Sequence, residues 1–179
     1  MNEVNIQLHE TEIGDVILGS FRGKLCFLGF RGRETRGTVD GRIKKTLNAE
    51  CVEHDDEVLE KTRRQLDEYL KGRRRKFDIP LLMVGTDFQK RVWNVLTKVP
   101  YGYTSTYLQV AKDVGNERAV RAVGNANAAN PISIIVPCHR IIGSGGELVG
   151  YGGGLSLKRR LLELERRNIS TSVGVASVC

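Results

Sequence analysis

The chain of 179 residues, 40% of them hydrophobic, has enough apolar content for a core in one large domain or two small ones, and no apolar stretch approaches the ~18 residues of a membrane span. Its four cysteines, Cys26, Cys51, Cys138 and Cys179, are widely spaced with no Cys-x-x-Cys, so neither a disulfide framework nor a zinc ribbon is indicated. The formal charge of +7 is unevenly held: residues 1–82 carry a net +1 and residues 83–179 a net +6, which favours a polyanionic partner for the second half.

The start, Met1 to Asn5, lacks a basic region followed by an apolar one, so an intracellular, soluble protein with reduced thiols is expected. Val4, Ile6 and Leu8 alternate with polar residues as a half-buried strand does. Asp15 to Phe21 and Lys24 to Phe30 read as two more strands, joined by a tight turn at Arg22-Gly23. A short helix over Gly37 to Leu47 and a strand over Glu50 to Glu53 follow. Asp55 or Asp56 then caps a helix with apolar positions Leu59, Leu66, Tyr69 and Leu70, ended by Gly72. The run Arg73-Arg74-Arg75-Lys76 reads as a solvated face rather than a phosphate contact. His9, Cys26, Cys51 and His54 are zinc-ligand types, but only Cys51-x-x-His54 has ligand-like spacing; no metal or other cofactor is expected.

Phe77 to Val84, with Pro80, is the expected linker. Thr86 and Gln89 form a capping box for a helix with Phe88, Val92, Val95 and Val99 on one stripe and Trp93 and Leu96 beside it. Thr104-Ser105 caps a short helix from Thr106 to Val114, Gly115-Asn116 makes a turn, and Asn116 caps a helix from Glu117 to Ala129. Helix, glycine-containing turn and helix in this compass read as a helix-turn-helix, although generic helical hairpins share the pattern. The second of these helices is nearly without bulk, with Ala119, Ala122, Gly124, Ala126, Ala128 and Ala129, and it carries Arg118, Arg121, Asn125 and Asn127. Small residues allow close approach to another surface, either the core or a shallow groove of DNA. Asn130-Pro131 ends the helix.

Ile134 to Ile142 is a run of apolar β-formers holding Cys138, His139 and Arg140, and it reads as a buried strand that Pro137 forces to an edge, bulge or turn. A free thiol has a pKa of ~8.5, so a nucleophilic Cys138 needs a base, and His139 is the candidate. The glycines from Gly143 to Gly154 form loops, without the Lys-Ser/Thr a P-loop requires. Leu155 to Asn168 reads as the last helix, with Leu157, Leu161 and Leu164 buried. Glu165 borders that stripe with no opposite charge three or four positions away, so an inward contact is expected, with His139 or with a distant arginine.

Pro137-Cys138-His139-Arg140 between β-branched residues resembles the active-site motif of the O6-alkylguanine-DNA alkyltransferases. Arg121-Ala122-Val123-Gly124-x-Ala126-x-x-x-Asn130 is similar to the same family. The resemblance covers residues 84–168 in four separated stretches, and no motif is recognised in the first half. It implies an α+β protein. Residues 1–82 would form an antiparallel sheet with helices, ribonuclease H-like. Residues 83–169 would form a mostly helical DNA-binding and alkyl-acceptor domain with the helix-turn-helix; residues 170–179, small and polar, read by composition as a mobile tail.

The resemblance also implies roles. Cys138 is the alkyl acceptor, His139 draws its proton through a water, Glu165 holds the imidazole in the useful tautomer, and Asn130 fixes the active-site turn. Tyr107 bonds a flipped guanine and Tyr151 packs over it. The Cys138 carbonyl and the amides of Ile141 and Gly152 read the guanine edge. Gly152 departs from the side chain, often Ser, that many relatives carry. Arg121 enters the base stack, and Arg118, Ala122 and Asn127 face the minor groove. The expected partner is double-stranded DNA containing O6-alkylguanine, with O4-alkylthymine as a further substrate and no membrane. The expected protein is a monomer that reacts once by irreversible transfer to sulfur. A helix-turn-helix regulator without catalysis and a cysteine hydrolase are the alternatives.

Overall fold

The structure, a computed structural model, describes residues 1–32 and 35–176, with 35–40 and 172–176 given by backbone alone. Three strands open the chain: β1 (Asn2–His9), β2 (Val16–Phe21) and β3 (Lys24–Phe30). Arg22 and Gly23 both adopt positive φ, 49° and 78°, in the two-residue turn whose twist matches the flanking strands. Helix α1 (Thr35–Leu47) leads to β4 (Ala49–Glu53), and α2 (Glu57–Leu70) follows. The sheet order is β3-β2-β1-β4, with β4 parallel to β1. The sheet is therefore mixed rather than wholly antiparallel: the β2–β3 hairpin and α1 lie between β1 and β4 in the chain, which is the length a parallel pairing requires. Asp56 caps α2 by accepting from the Leu59 amide at 2.9 Å, and its other oxygen accepts from Asn5 and Ser20, fastening the helix to β1 and β2.

The sheet has two apolar faces. Val4, Cys26 and Phe27 pack with Ile43 of α1 on one. On the other, Val16, Leu18, Leu25 and Leu28 share a core with α2 and with Val92, Trp93, Ile132 and Val136 from the second half. Segment 77–84, expected as a linker, runs along the open edge of β3: the Leu25 amide donates to Pro80 at 2.8 Å, and Leu82 donates back to Leu25 at 2.8 Å. Further along the same edge Leu28 donates to Pro131 at 2.9 Å and Ser133 to Leu28 at 2.9 Å. An edge that would otherwise offer unpaired donors and acceptors thus anchors the segment leading to Cys138.

The second half holds α3 (Asp87–Leu96), β5 (Ser105–Thr106), α4 (Tyr107–Asp113), α5 (Val120–Ala128), a single 3-10 turn (Cys138–Arg140), β6 (Ile141–Ile142) and α6 (Leu155–Ala176). The capping box at Thr86 and Gln89 is formed, and the Trp93 indole donates to Ala126 at 2.8 Å, clamping α3 to α5. Several boundaries differ from expectation, among them the end of α3, at Leu96 and short of Val99. Thr106, not Thr104 or Ser105, caps α4, because Ser105 and Thr106 first pair with Ile141 and Ile142. Asn116 caps only a turn, accepting from Arg118 at 3.1 Å, so α5 begins at Val120 rather than Glu117. The segment from Ser170 continues α6 to Ala176 instead of forming a tail; Cys179 lies outside the described residues.

No helix among the described residues is long and apolar enough to cross a membrane. Among them no three His, Cys, Asp or Glu side chains gather as a metal site: His9 is bonded to Asp67 at 2.8 Å, Cys26 is buried in the sheet, and Cys51 is exposed.

Candidate active site

Ile134 to Ile142 is not the continuous strand its composition suggests. Asn130 sits at its mouth, with its side-chain amide donating to Val136 at 2.8 Å and its side-chain oxygen accepting from Ile132 at 3.0 Å. These bonds, with Val136 donating to Ile132 at 3.0 Å, curl the chain back on itself. Ile134 is driven to φ 72°, a region that β-branched residues seldom occupy and that rigid surroundings must hold. Pro137 then starts the 3-10 turn carrying Cys138, His139 and Arg140, all buried. An apolar β-branched run dictates burial, not extension. Asn130 and Pro137 decide the shape.

The carboxylate of Glu165, fully buried on α6, is the hub of the site. Its Oε1 lies 2.8 Å from His139 Nε2 and accepts from Arg140 at 2.9 Å and from the Tyr69 hydroxyl at 2.6 Å. Its Oε2 accepts from Arg140 Nε at 2.9 Å and from the Gly102 amide at 3.1 Å. Gly102 has φ 81°, and a Cβ there would meet Ile169, so only glycine brings this amide to the carboxylate. Burial works to raise the Glu165 carboxyl, but the bonds and charges of His139 and Arg140 override it and hold it at about 2. An ionised carboxylate only accepts, so Nε2 of His139 carries the proton and Nδ1 keeps its lone pair. Nδ1 is buried and has no protein hydrogen-bond partner. Burial also pushes His139 below its ordinary value against the pull of Glu165, so the ring is neutral and able to accept a proton. The two alternatives for Glu165, a contact with His139 and an ion pair with an arginine distant in sequence, are both realised, the arginine being Arg140.

Cys138 is 5% exposed. Burial raises its thiol, while the Asn130 side chain and the Lys158 charge act the other way. Lys158 is fully buried on α6, and its ammonium donates to Ile141, to Val149 at 3.0 Å and to Gly150 at 3.4 Å, bridging the turn and the glycine loop. Tyr107, at the start of α4, donates to the Val149 carbonyl at 2.9 Å. Tyr151 stands edge-on to His139 with ring centroids 6.4 Å apart. The Ile141 amide, expected to face a base, donates instead to the Cys138 carbonyl, because that bond closes the 3-10 turn. Gly152 is exposed, with open space where a side chain would stand.

Helix α5 divides cleanly. Arg121, Ala122, Asn125 and Ala128 are exposed, with Arg118 just before them, while Val123 and Ala126 face α3 and α4. Asn127, expected on the groove-facing side, is buried, its amide 3.5 Å from the Cys138 carbonyl. It lies four residues after buried Val123 and one after buried Ala126, so the helix phase puts it on the inward face. The run at 73–76 is not simply solvated: Arg74 pairs with Glu68 at 2.6 Å, and Arg75 donates to Asn168 of α6 at 3.0 Å.

Two further participants carry no role in the sequence reading: Tyr69, an apolar packing position by its spacing, and Lys158. Lys158 had a signal, since it stands seven residues before Glu165 and four before Leu162 on the same helix face. Tyr69 had none, because its partner is 96 positions away.

The site makes stability acid-sensitive. His139 is held low, so the unfolded chain takes up a proton below about 6.5 that the folded chain refuses. Glu165, held at about 2 against an ordinary 4.5, adds stability that is lost as pH falls below 4.5 towards 2. The urea midpoint is expected to fall steadily as pH drops below 6.5. A midpoint constant from neutral pH down to pH 5 would contradict this.

Both halves of the chain match known proteins. Residues 7–83 match the profile described as 6-O-methylguanine DNA methyltransferase, ribonuclease-like domain, and residues 87–167 the profile described as its DNA binding domain. A methylated-DNA–protein-cysteine methyltransferase of Methanosarcina acetivorans is 43% identical over 158 residues, 88% of this chain and 96% of that one. The crystal structure of Mycobacterium tuberculosis O6-methylguanine methyltransferase superposes with a TM-score of 0.77 at 38% identity, covering 92% of this chain and 94% of that one. The M. tuberculosis OGT structure in complex with DNA gives 0.78 at 37% identity, covering 93% and 94%.

Proposed function

Because the chain belongs to the 6-O-methylguanine DNA methyltransferase family, we propose that Cys138 is the sulfur to which a methyl or larger alkyl group is transferred from O6 of guanine in DNA. The activity is that of a methylated-DNA–protein-cysteine methyltransferase. The observation that carries the residue assignment is the buried imidazole of His139, next to Cys138 in the turn, with Nε2 on Glu165 and Nδ1 left without a partner. Nδ1 takes the Cys138 proton, through a water. The sulfur then attacks the alkyl carbon, forming a C–S bond as the C–O6 bond breaks, and the electron pair stays on guanine, which takes up one proton to become the normal base. No cofactor enters this balance. The thioether has no hydrolysable bond, so each chain reacts once. O4-alkylthymine presents the same kind of alkyl–oxygen bond and is a further substrate of this reading.

The alkylated oxygen lies inside the duplex, so the base must leave the stack, at a cost of a few kcal/mol. We assign α4, the turn after it and α5 as a helix-turn-helix, with Ala122 allowing close approach to the minor groove and Arg121 filling the space of the extruded base. Arg118 contacts phosphate. Residues 1–82 act as a ribonuclease H-like scaffold and residues 83–169 as the reacting domain of an intracellular monomer. With Cys138 only 5% exposed, a base reaches it after the Tyr107–Val149 bond opens; the freed hydroxyl then bonds the guanine, and Tyr151 and the Gly152 amide close over it.

Arg121→Ala separates this reading from its rivals. Repair of O6-methylguanine in duplex DNA is expected to slow by about tenfold or more, while reaction with free O6-benzylguanine, which needs no extrusion, stays within about twofold. Equal losses on the two substrates would remove the stack-filling role. A DNA-binding regulator would react with neither, and a hydrolase would turn over.

A further inference from the structure

Among the described residues, the first half of the chain supplies one polar side chain to the buried site. Tyr69, on α2, is fully buried, and its hydroxyl donates at 2.6 Å to the same Glu165 oxygen that holds His139 at 2.8 Å. We propose that Tyr69 is a positioning residue for the transfer reaction, sharing Glu165 Oε1 with His139 so that the imidazole stays neutral and ready to receive the thiol proton. This rests on the alkyl-transfer reading above.

The argument is one of competition for an oxygen. A carboxylate that already accepts a short bond from a phenol offers less electron density to an imidazolium, so protonation of the ring is stabilised less. The contact between the Tyr69 oxygen and His139 Nε2 is 3.4 Å, too long to offset the 2.6 Å bond. The other charged and titratable groups around the ring are Arg140 and Cys138 on the same turn, Lys158 and Glu165 on α6, and Tyr151 on the glycine loop. Arg140 also draws on both Glu165 oxygens and lies over the Tyr101 ring. A ring protonated in advance could not accept the Cys138 proton, so a stronger His139–Glu165 pair would slow transfer on the acid side. Packing of Tyr69 against Phe77 and Tyr101 survives loss of the hydroxyl.

The test is Tyr69→Phe, read in two ways. The rate of reaction with O6-benzylguanine is measured across pH, and the His139 titration is followed by NMR, where the three histidines of the chain make assignment direct. The acid limb of the rate profile is expected to move to higher pH, lowering the ratio of the rate near pH 6 to that near pH 8 by roughly tenfold, with a matching rise in the His139 titration. A rate scaled equally at every pH, or an unmoved His139, would overturn the proposal, since loss of packing alone gives that. If Tyr69→Phe does not fold, difluorotyrosine at position 69, a stronger donor, must move the limb to lower pH; no movement overturns the proposal as well. The NMR arm needs no substrate, so a wild-type chain that fails to transfer alkyl groups sinks the functional reading separately.

Discussion

Glu165→Ala is expected to destabilise the fold by about 3–5 kcal/mol and to reduce alkyl transfer severely. The carboxylate is fully buried and accepts from His139, Arg140, Tyr69 and Gly102. Removing it strands a guanidinium, 9% exposed at its side chain, with no countercharge. It also leaves a phenol and a backbone amide without their acceptor, each costing about 1–3 kcal/mol when buried. The imidazole loses the partner that fixes its tautomer, so Nδ1 is no longer reliably the acceptor. Arg140 keeps one bond, to the Val99 carbonyl at 2.8 Å, which tempers the loss without replacing the charge. Urea unfolding checks this: a shift below about 1 kcal/mol would mean the network is not the hub drawn above.

Cys138→Ser is expected to abolish alkyl transfer while leaving fold and DNA binding near those of the parent. A hydroxyl is a far poorer nucleophile than a thiolate, and one neutral imidazole cannot make up the difference. The substitution removes little volume, and the turn is held by Asn130 and by the Ile141–Cys138 backbone bond rather than by the sulfur. The exposed stripe of α5 carrying Arg121 and Ala122 is untouched. Duplex binding by gel shift and transfer from labelled duplex separate the two properties. Transfer that persists in Cys138→Ser would move the acceptor elsewhere in the chain.

Local rules carried much of the fold. The turn at Arg22-Gly23, the cap at Asp56 and the capping box at Thr86 and Gln89 form as their residues require, since each depends on neighbours within three positions. The pairing of His139 with Glu165 was legible from a carboxylate on an apolar stripe with no helical partner. The strand assigned to 134–142 failed for a physical reason. An apolar β-branched run states that a segment is buried, and the side-chain bonds of Asn130 impose the curl. Asn127 does not join the groove-facing residues expected beside it, because the helix phase puts it inside. The parallel β4, the sheet-edge course of 77–84 and the reach of Tyr69 are long-range, and no local pattern encodes them.

The most direct test of the account is the mass of the Cys138 peptide after incubation with duplex DNA containing O6-methylguanine. One added methyl on that peptide, in a yield that stops at one group per chain with excess substrate present, is the expected result. Label on any other peptide, or product that continues to accumulate beyond one equivalent, would contradict it.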